Sequence, residues 1–287
     1  MNQGAGRFKA VQIPDADTSS INFLYNTIPG RVLLRLLVRT TVSKFAGLIL
    51  RSPASRLMVN GFIKRNDINT DEYQDAKYKS FDDFFIRRVK TGCRSFPDCE
   101  NDVAAPSDGK LTVHPVSADT VFSIKHSMYS VSELLQDNNL ANEFNDGICL
   151  IFRLSPDDYH RYSYIDDGDV LRQKRINGRL HTVRPIAYQQ CNVFCRNSRE
   201  YIVMQTTNFG KIVQMEVGAL FVGRISNHNN DRTVKRGDEK GMFQFGGSTV
   251  IMLFQKNSIT VDDEIYDNTK QNLETIVKMG DKIGEKK

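Results

Sequence analysis

From Ile21 to Ile63 the chain is apolar with cations set into it: INFLYNTIPGRVLLRLLVRTTVSKFAGLILRSPASRLMVNGFI. Arg31, Arg35 and Arg39 recur every fourth residue, on one helical stripe beside Leu33, Leu34, Leu37 and Val38. This predicts a basic amphipathic helix, lying on a membrane surface or packed on the core with its basic side solvated. Spanning a bilayer needs about 20 consecutive apolar residues, and cations interrupt every such window here, each at about 2.5 to 3.5 kcal/mol mid-bilayer. Ser80 before Phe81-Asp82-Asp83-Phe84-Phe85 predicts a short helix, with Ser80 as N-cap, Asp83 at the capping-box position and the phenylalanines buried. Ser130 and Glu133 cap another, from Val131 to Leu135. Segments 110–116, 147–154, 200–206, 211–217, 219–225 and 248–254 are short, rich in Val, Ile, Phe and Met, and bounded by Gly, Asn and Asp; they predict strands.

One internal echo sharpens the picture. Val234-Lys235-Arg236-Gly237-Asp238-Glu239-Lys240-Gly241 returns as Val277-Lys278-Met279-Gly280-Asp281-Lys282-Ile283-Gly284. Glycine followed by an acid suits a tight turn with positive φ that leads into a strand. The pair resembles turns of lipoyl- and biotinyl-type hybrid barrels. We therefore expect an α+β fold: a β-rich, hybrid-barrel-like core, duplicated, with N-terminal amphipathic helices. The expected division is a membrane-associating segment over 1–66 and a catalytic body over 67–287. No lysine sits in the Met-Lys-Met type of tip that carrier domains modify, which weighs against a carrier.

Composition fits a folded chain, with 40% hydrophobic and 25% charged residues. Charge is uneven: residues 1–65 hold ten Lys or Arg against Asp15 and Asp17, a local net of +8, so the rest nets −3 of the total +5. Such an appendage reaches for phosphates, and without interleaved aromatic residues for base stacking, lipid is favoured over nucleic acid. Five cysteines argue against a disulfide framework. Cys191 and Cys195 have no second pair at zinc-ligand spacing, and the five histidines show no His-Glu-x-x-His pattern, so no metal is expected. We also expect no secretory signal, for want of a compact apolar run and cleavage site.

Gly246-Gly247-Ser248-Thr249 stands immediately before an apolar strand. Alone it is most simply a turn. Glycines beside a hydroxyl also permit the backbone strain that an N-to-O acyl shift requires, and such attack needs a base and an orienting acid. Ala105-Pro106-Ser107-Asp108-Gly109-Lys110 and Ser155-Pro156-Asp157-Asp158-Tyr159-His160-Arg161 supply both residue types, although singly they read as a β-turn and a polar loop.

In order, and joined to Asn197-Ser198-Arg199-Glu200 and Glu216-Val217-Gly218-Ala219, these segments resemble the phosphatidylserine decarboxylase family over roughly residues 80–255. The resemblance implies a pyruvoyl enzyme that makes its own cofactor. Ser248 would attack the Gly247 carbonyl, and the resulting ester would eliminate and hydrolyse to a pyruvoyl group with loss of ammonia, splitting the chain into 1–247 and 248–287. The new ketone would capture a serine headgroup amine and draw electrons from the carbon–carboxylate bond. The resemblance assigns His160 to reprotonation and Asp108 to a charge relay.

The family's commoner form carries a second histidine three residues after the first, assigned to the self-cleavage relay; here that position is Ser163. We expect His181 to replace the missing imidazole from an adjacent strand; otherwise it packs or binds lipid phosphate. Further expectations are an anionic phospholipid membrane as partner, phosphatidylserine as substrate, a homodimer of processed protomers, and a peripheral place on the cytoplasmic face of a cell membrane. Alternatives are a pyruvoyl decarboxylase of another serine-headed lipid or amino acid, and an unprocessed membrane-bound hybrid-barrel binding module.

Overall fold

The computed structural model describes residues 7–12, 19–119, 121–124, 127–183, 187, 192–219, 224–228, 232–244 and 248–287. In chain order, β1 (Lys9–Gln12) precedes four helices, α1 (Ser19–Asn26), α2 (Ile28–Leu37), α3 (Thr40–Arg51) and α4 (Val59–Arg65). Next come α5 (Phe81–Phe85), β2 (Asp102–Ala104), β3 (Gly109–Pro115), β4 (Val121–Ile124), β5 (Ser127–Ser130), α6 (Val131–Leu135) and α7 (Asn138–Asn142). They are followed by β6 (Ile148–Leu154), β7 (Arg161–Ser163), β8 (Gly168–Ile176), α8 (Val193–Arg196), β9 (Arg199–Thr206) and β10 (Lys211–Gly218). The chain continues with β11 (Ile225–Asn227), β12 (Thr233–Val234), β13 (Glu239–Phe243) and β14 (Ser248–Phe254). It ends with β15 (Ile259–Val261), α9 (Asp263–Lys270), β16 (Leu273–Val277) and β17 (Lys282–Lys286).

Nine strands form one antiparallel sheet in the order β1-β16-β3-β6-β14-β10-β9-β8-β12. Every residue of β14 is buried. Its unbroken apolar run follows from that position, because both faces of the sheet are covered: Ile251 and Leu253 enter one core, Val250, Met252 and Phe254 the other. Two three-stranded sheets, β11-β13-β7 and β15-β17-β2, flank the large one. The described strands make no closed barrel. Predicted strand 219–225 falls largely on 220–223, outside the described residues.

The echoed octapeptides form the same turn. Gly237 and Gly280 have φ of 83° and 90°. The Asp238 carboxylate accepts from Lys235 N–H at 3.1 Å and the Asp281 carboxylate from Lys278 N–H at 2.7 Å. Each turn then grips an extended segment: Gly237 and Asp238 bond both ways with Tyr164, and Gly280 and Asp281 with Ala105. The two gripped segments meet where Ser163 N–H donates to the Pro106 carbonyl.

The expected N-terminal helices are four α-helices among the described residues. Thr27 Oγ1 accepts from Gly30 N–H at 3.0 Å to start α2, with Pro29 in its first turn. Leu24, Tyr25, Leu34 and Val38 are buried in the core that also holds Val203, Met215 and Ile251 of the large sheet. Leu50 of α3 and Val59 of α4 pack with Phe81, Phe84, Phe85 and Tyr159. The described part of segment 1–66 is thus built into the body. Its outer side stays apolar, with Ile28, Val32, Leu33, Leu36, Phe45, Leu48 and Ile49 exposed.

Candidate active site

Ser248 opens β14 between two partners, Leu154 at the end of β6 and Gly218 at the end of β10. It is fully buried, and its Oγ has no hydrogen-bond partner among the described residues. A buried hydroxyl without a partner costs about 1 to 3 kcal/mol, so its position calls for an explanation. Gly246 and Gly247 lie outside the described residues. A histidine-bearing segment is connected to each of the two partners, Leu154 and Gly218.

His160 comes from the β6 side, where the chain leaves Leu154 and turns through Ser155–Tyr159 before entering β7. Its Nδ1 lies 2.8 Å from the Asp158 carbonyl oxygen, which can only accept, so Nδ1 carries the proton and Nε2 is the basic nitrogen. Its own carbonyl accepts from Phe243 N–H at 2.9 Å, where β13 runs out toward the Gly-Gly pair. The ring is fully buried, 4.0 Å between centroids from Phe85. The supporting Asp158 carboxylate receives Lys110 Nζ at 2.7 and 2.9 Å and Ser155 N–H at 2.6 Å. Burial pushes the Asp158 carboxyl up to about 6 against the opposing pull of Lys110.

His181 comes from the β10 side, in an irregular segment and not on the adjacent strand expected for it. Asn197 ties it to the sheet: its side-chain oxygen accepts from His181 N–H at 2.9 Å, and its Nδ2 donates to the carbonyls of His181 and Gly218, both at 2.8 Å. Gly218 is the residue opposite Ser248. Tyr25 of α1 covers the ring, its hydroxyl 3.4 Å from Nδ1 and accepting from Thr182 N–H at 3.1 Å. His181 Nε2 is buried with no partner among the described residues. Burial, with the nearby Arg179 and Arg196 cations, lowers the imidazole to about 4.

Asp108 is engaged elsewhere. Arg94 grips its carboxylate with two bonds, at 2.8 and 2.6 Å, and Met279 N–H donates to it at 2.8 Å. Among the described residues no imidazole bonds to it, so the expected Asp108–imidazole relay is not formed in this structure. The bond to Met279 has a counterpart in the other echoed turn, where Arg236 N–H donates to Asp167 at 2.8 Å. Asp108 therefore holds a turn as well as a cation.

A phosphatidylserine decarboxylase family profile matches residues 81–285, which takes in Asp108, His160, His181 and Ser248. The chain belongs to the phosphatidylserine decarboxylase family. It is 47% identical to the phosphatidylserine decarboxylase proenzyme 2 of Clostridium acetobutylicum over 92% of this chain and 91% of that protein. It is 39% identical to the proenzyme of Ruminiclostridium cellulolyticum over 92% and 90%, and 40% identical to that of Clostridium botulinum strain Langeland over 93% and 92%.

Within this decarboxylase the departure at Ser163 has a structural correlate. Ser163 Oγ donates to Met279 Sδ at 3.3 Å, and the Met279 N–H holds Asp108. Position 163 and Asp108 thus converge on one residue, with a small hydroxyl facing a thioether. Several supporting residues escape sequence reasoning. Asn197 and Lys110 were visible only as parts of motifs; Arg94 and Tyr25 carry no local signal. Lys240 and Glu216 each stand in a motif, but nothing local foretells that they form a buried pair, joined by Asn227 beneath Tyr162 on the same side of the sheet as Ser248. Burial raises the Glu216 carboxyl against the pull of Lys240.

Proposed function

We propose that this chain cleaves itself between Gly247 and Ser248, converts Ser248 to a pyruvoyl group and then decarboxylates phosphatidylserine to phosphatidylethanolamine at a membrane surface. Family membership makes it a carboxy-lyase acting on phosphatidylserine, in a family whose relatives are named as proenzymes. The observation that carries the finer reading is Ser248 itself, a buried hydroxyl without a described partner at the end of a central strand, flanked by two histidine-bearing segments. A small oxygen at a rigid strand end suits a group that must become a fixed carbonyl.

In this reading His181 is the base for self-cleavage. The tautomer that donates Nδ1–H to the Tyr25 oxygen leaves Nε2 basic, and an imidazole held at about 4 is neutral at pH 7. As Ser248 Oγ bonds to the Gly247 carbonyl carbon, its proton passes to His181 Nε2 and on to the departing Ser248 nitrogen. Elimination and hydrolysis then release ammonia. The pyruvoyl ketone supplies an electron sink for loss of the headgroup carboxylate. His160, its proton fixed on Nδ1 by Asp158, is left to move the replacement proton at Nε2. Asp108 acts through Arg94 and Met279 as a holder of the turn.

Membrane attachment is supported by exposed Ile28, Val32, Leu33, Leu36, Phe45, Leu48 and Ile49 among the cations of α2 and α3. No helix among the described residues is long and apolar enough to cross a membrane. The reading extends to a duplicated, hybrid-barrel-like body, supported by the paired turns, to a homodimer of processed protomers, and to the cytoplasmic face of a cell membrane. The deciding test is His181→Ala beside His160→Ala. The first should stop or greatly slow self-cleavage; the second should still process but lose turnover. Complete processing in His181→Ala, or processing that stops only in His160→Ala, would reject the assignment.

A further inference from the structure

Where α2 ends, a backbone bond brings two distant arginines together. Leu180 N–H donates to the Val38 carbonyl at 3.0 Å, and the residues next to this bonded pair are Arg39 and Arg179. Arg35 lies one helical turn before Arg39. The three line a cavity of about 460 Å³. All three are exposed, and among the described residues no carboxylate pairs with them. That contrasts with three cations whose side chains are buried: Arg94 has Asp108 and Glu72, Arg153 has Glu274, and Lys240 has Glu216.

We propose that this cleft binds a phosphodiester, and that its occupant is the phosphate of the phosphatidylserine molecule being decarboxylated. The inference rests on the function proposed above and adds the site that positions the substrate. Three planar guanidinium forks match the non-bridging oxygens of a phosphate, and an anion relieves their mutual repulsion. The cleft adjoins the chemistry: Arg179 lies two residues before His181, which Asn197 joins to the carbonyl of Gly218, opposite Ser248. It also adjoins the exposed apolar side of α2, where Val32, Leu33 and Leu36 offer acyl chains a path from the phosphate into the bilayer. Arg35, Arg39 and Arg179 are thus substrate-binding residues, with the headgroup amine directed past His181 toward residue 248.

The test uses dihexanoyl phosphatidylserine below its micellar concentration, titrated calorimetrically into the full chain carrying Ser248→Ala, so that binding is read without processing or turnover. Adding Arg35→Gln, Arg39→Gln and Arg179→Gln together should weaken binding at least about tenfold, since each removes a charge-assisted bond to the phosphate. Arg179→Lys alone should give a smaller loss, because charge remains and the fork is gone. Dihexanoyl phosphatidylglycerol should compete, and inorganic phosphate should compete only weakly. Equal affinity of the triple variant for the monomeric lipid, with only vesicle binding reduced, would overturn the proposal and leave the cleft as general surface charge. So would competition by inorganic phosphate as strong as by the lipids, or a melting temperature in the triple variant low enough to account for the loss. Failure of the wild-type chain to process would count against the function above and leave this binding result readable.

Discussion

At the scale of single residues, the local chemistry turns on two imidazoles held in different surroundings. His181 is neutral because burial and two neighbouring cations oppose its protonation. A histidine in the unfolded chain titrates near 6.5, so between that value and about 4 the unfolded chain takes up a proton that folded His181 refuses. The stability this neutral ring contributes is complete above about pH 6.5 and is lost as the pH falls through about 4. Thermal melts should therefore decline more steeply over that window in the wild-type chain than in His181→Gln, and parallel curves would contradict the assignment. A base held this low is also weak, so self-cleavage should be slow and nearly independent of pH above about 5. Tyr25→Phe removes the hydroxyl that touches His181 Nδ1 and receives Thr182 N–H. It should cost about 1 kcal/mol and slow processing severalfold, read by melting and by the rate of chain splitting.

At the scale of elements, the echoed turns give a sharper test of packing. Both glycines need positive φ, but their surroundings differ. A Cβ on Gly280 would stand 2.3 Å from the Ser95 carbonyl oxygen, whereas one on Gly237 would meet only the Phe96 ring at 3.4 Å. Gly280→Ala should destabilise by roughly 2 to 4 kcal/mol and Gly237→Ala by about 1, and equal losses in denaturant titrations would show the neighbours to be irrelevant. The turns were legible because Gly-Asp spacing has local meaning. So was β14, a continuous apolar run, and so were both capped helices; Ser80 accepts from Asp83 N–H, although Asp83 reaches back to Lys79 N–H and not to Ser80. By contrast β8, GDVLRQKRI, was not legible, because most of it faces solvent and its apolar residues do not alternate. The breaks between the N-terminal helices, at Thr27, Pro29 and Ser52-Pro53, were not legible, because composition hides them. Ser248, His160 and Asp108 stood out through their motifs. Their partners did not, since Arg94 on Asp108 and Tyr25 on His181 are tertiary pairings across 14 and 156 residues.

At the scale of the whole molecule, the basic N-terminal region serves two purposes at once. Leu24, Tyr25, Leu34 and Val38 help to complete the core beside the candidate active site, while the opposite side of the same helices is apolar and exposed. Removing residues 1–65 should therefore unfold or aggregate the body as well as abolish membrane binding. Replacing exposed Ile28, Val32 and Leu36 together by Ser should separate the two effects. Binding to anionic liposomes, which should fall with salt in the wild-type chain, should weaken about tenfold or more, with the melting temperature nearly unchanged. Unaltered sedimentation with liposomes would remove the membrane role. Because Tyr25 lies on α1 and touches His181, the proposed lipid contact and the proposed self-cleavage would share one structural unit.

The most direct test of the central claim is the intact mass of the purified full chain after denaturing separation. The account predicts two fragments, residues 1–247 and 248–287, the smaller lighter by one ammonia than a peptide beginning with serine and labelled by hydrazines. A single species with the mass of all 287 residues, stable over days and inert to hydrazines, would contradict it.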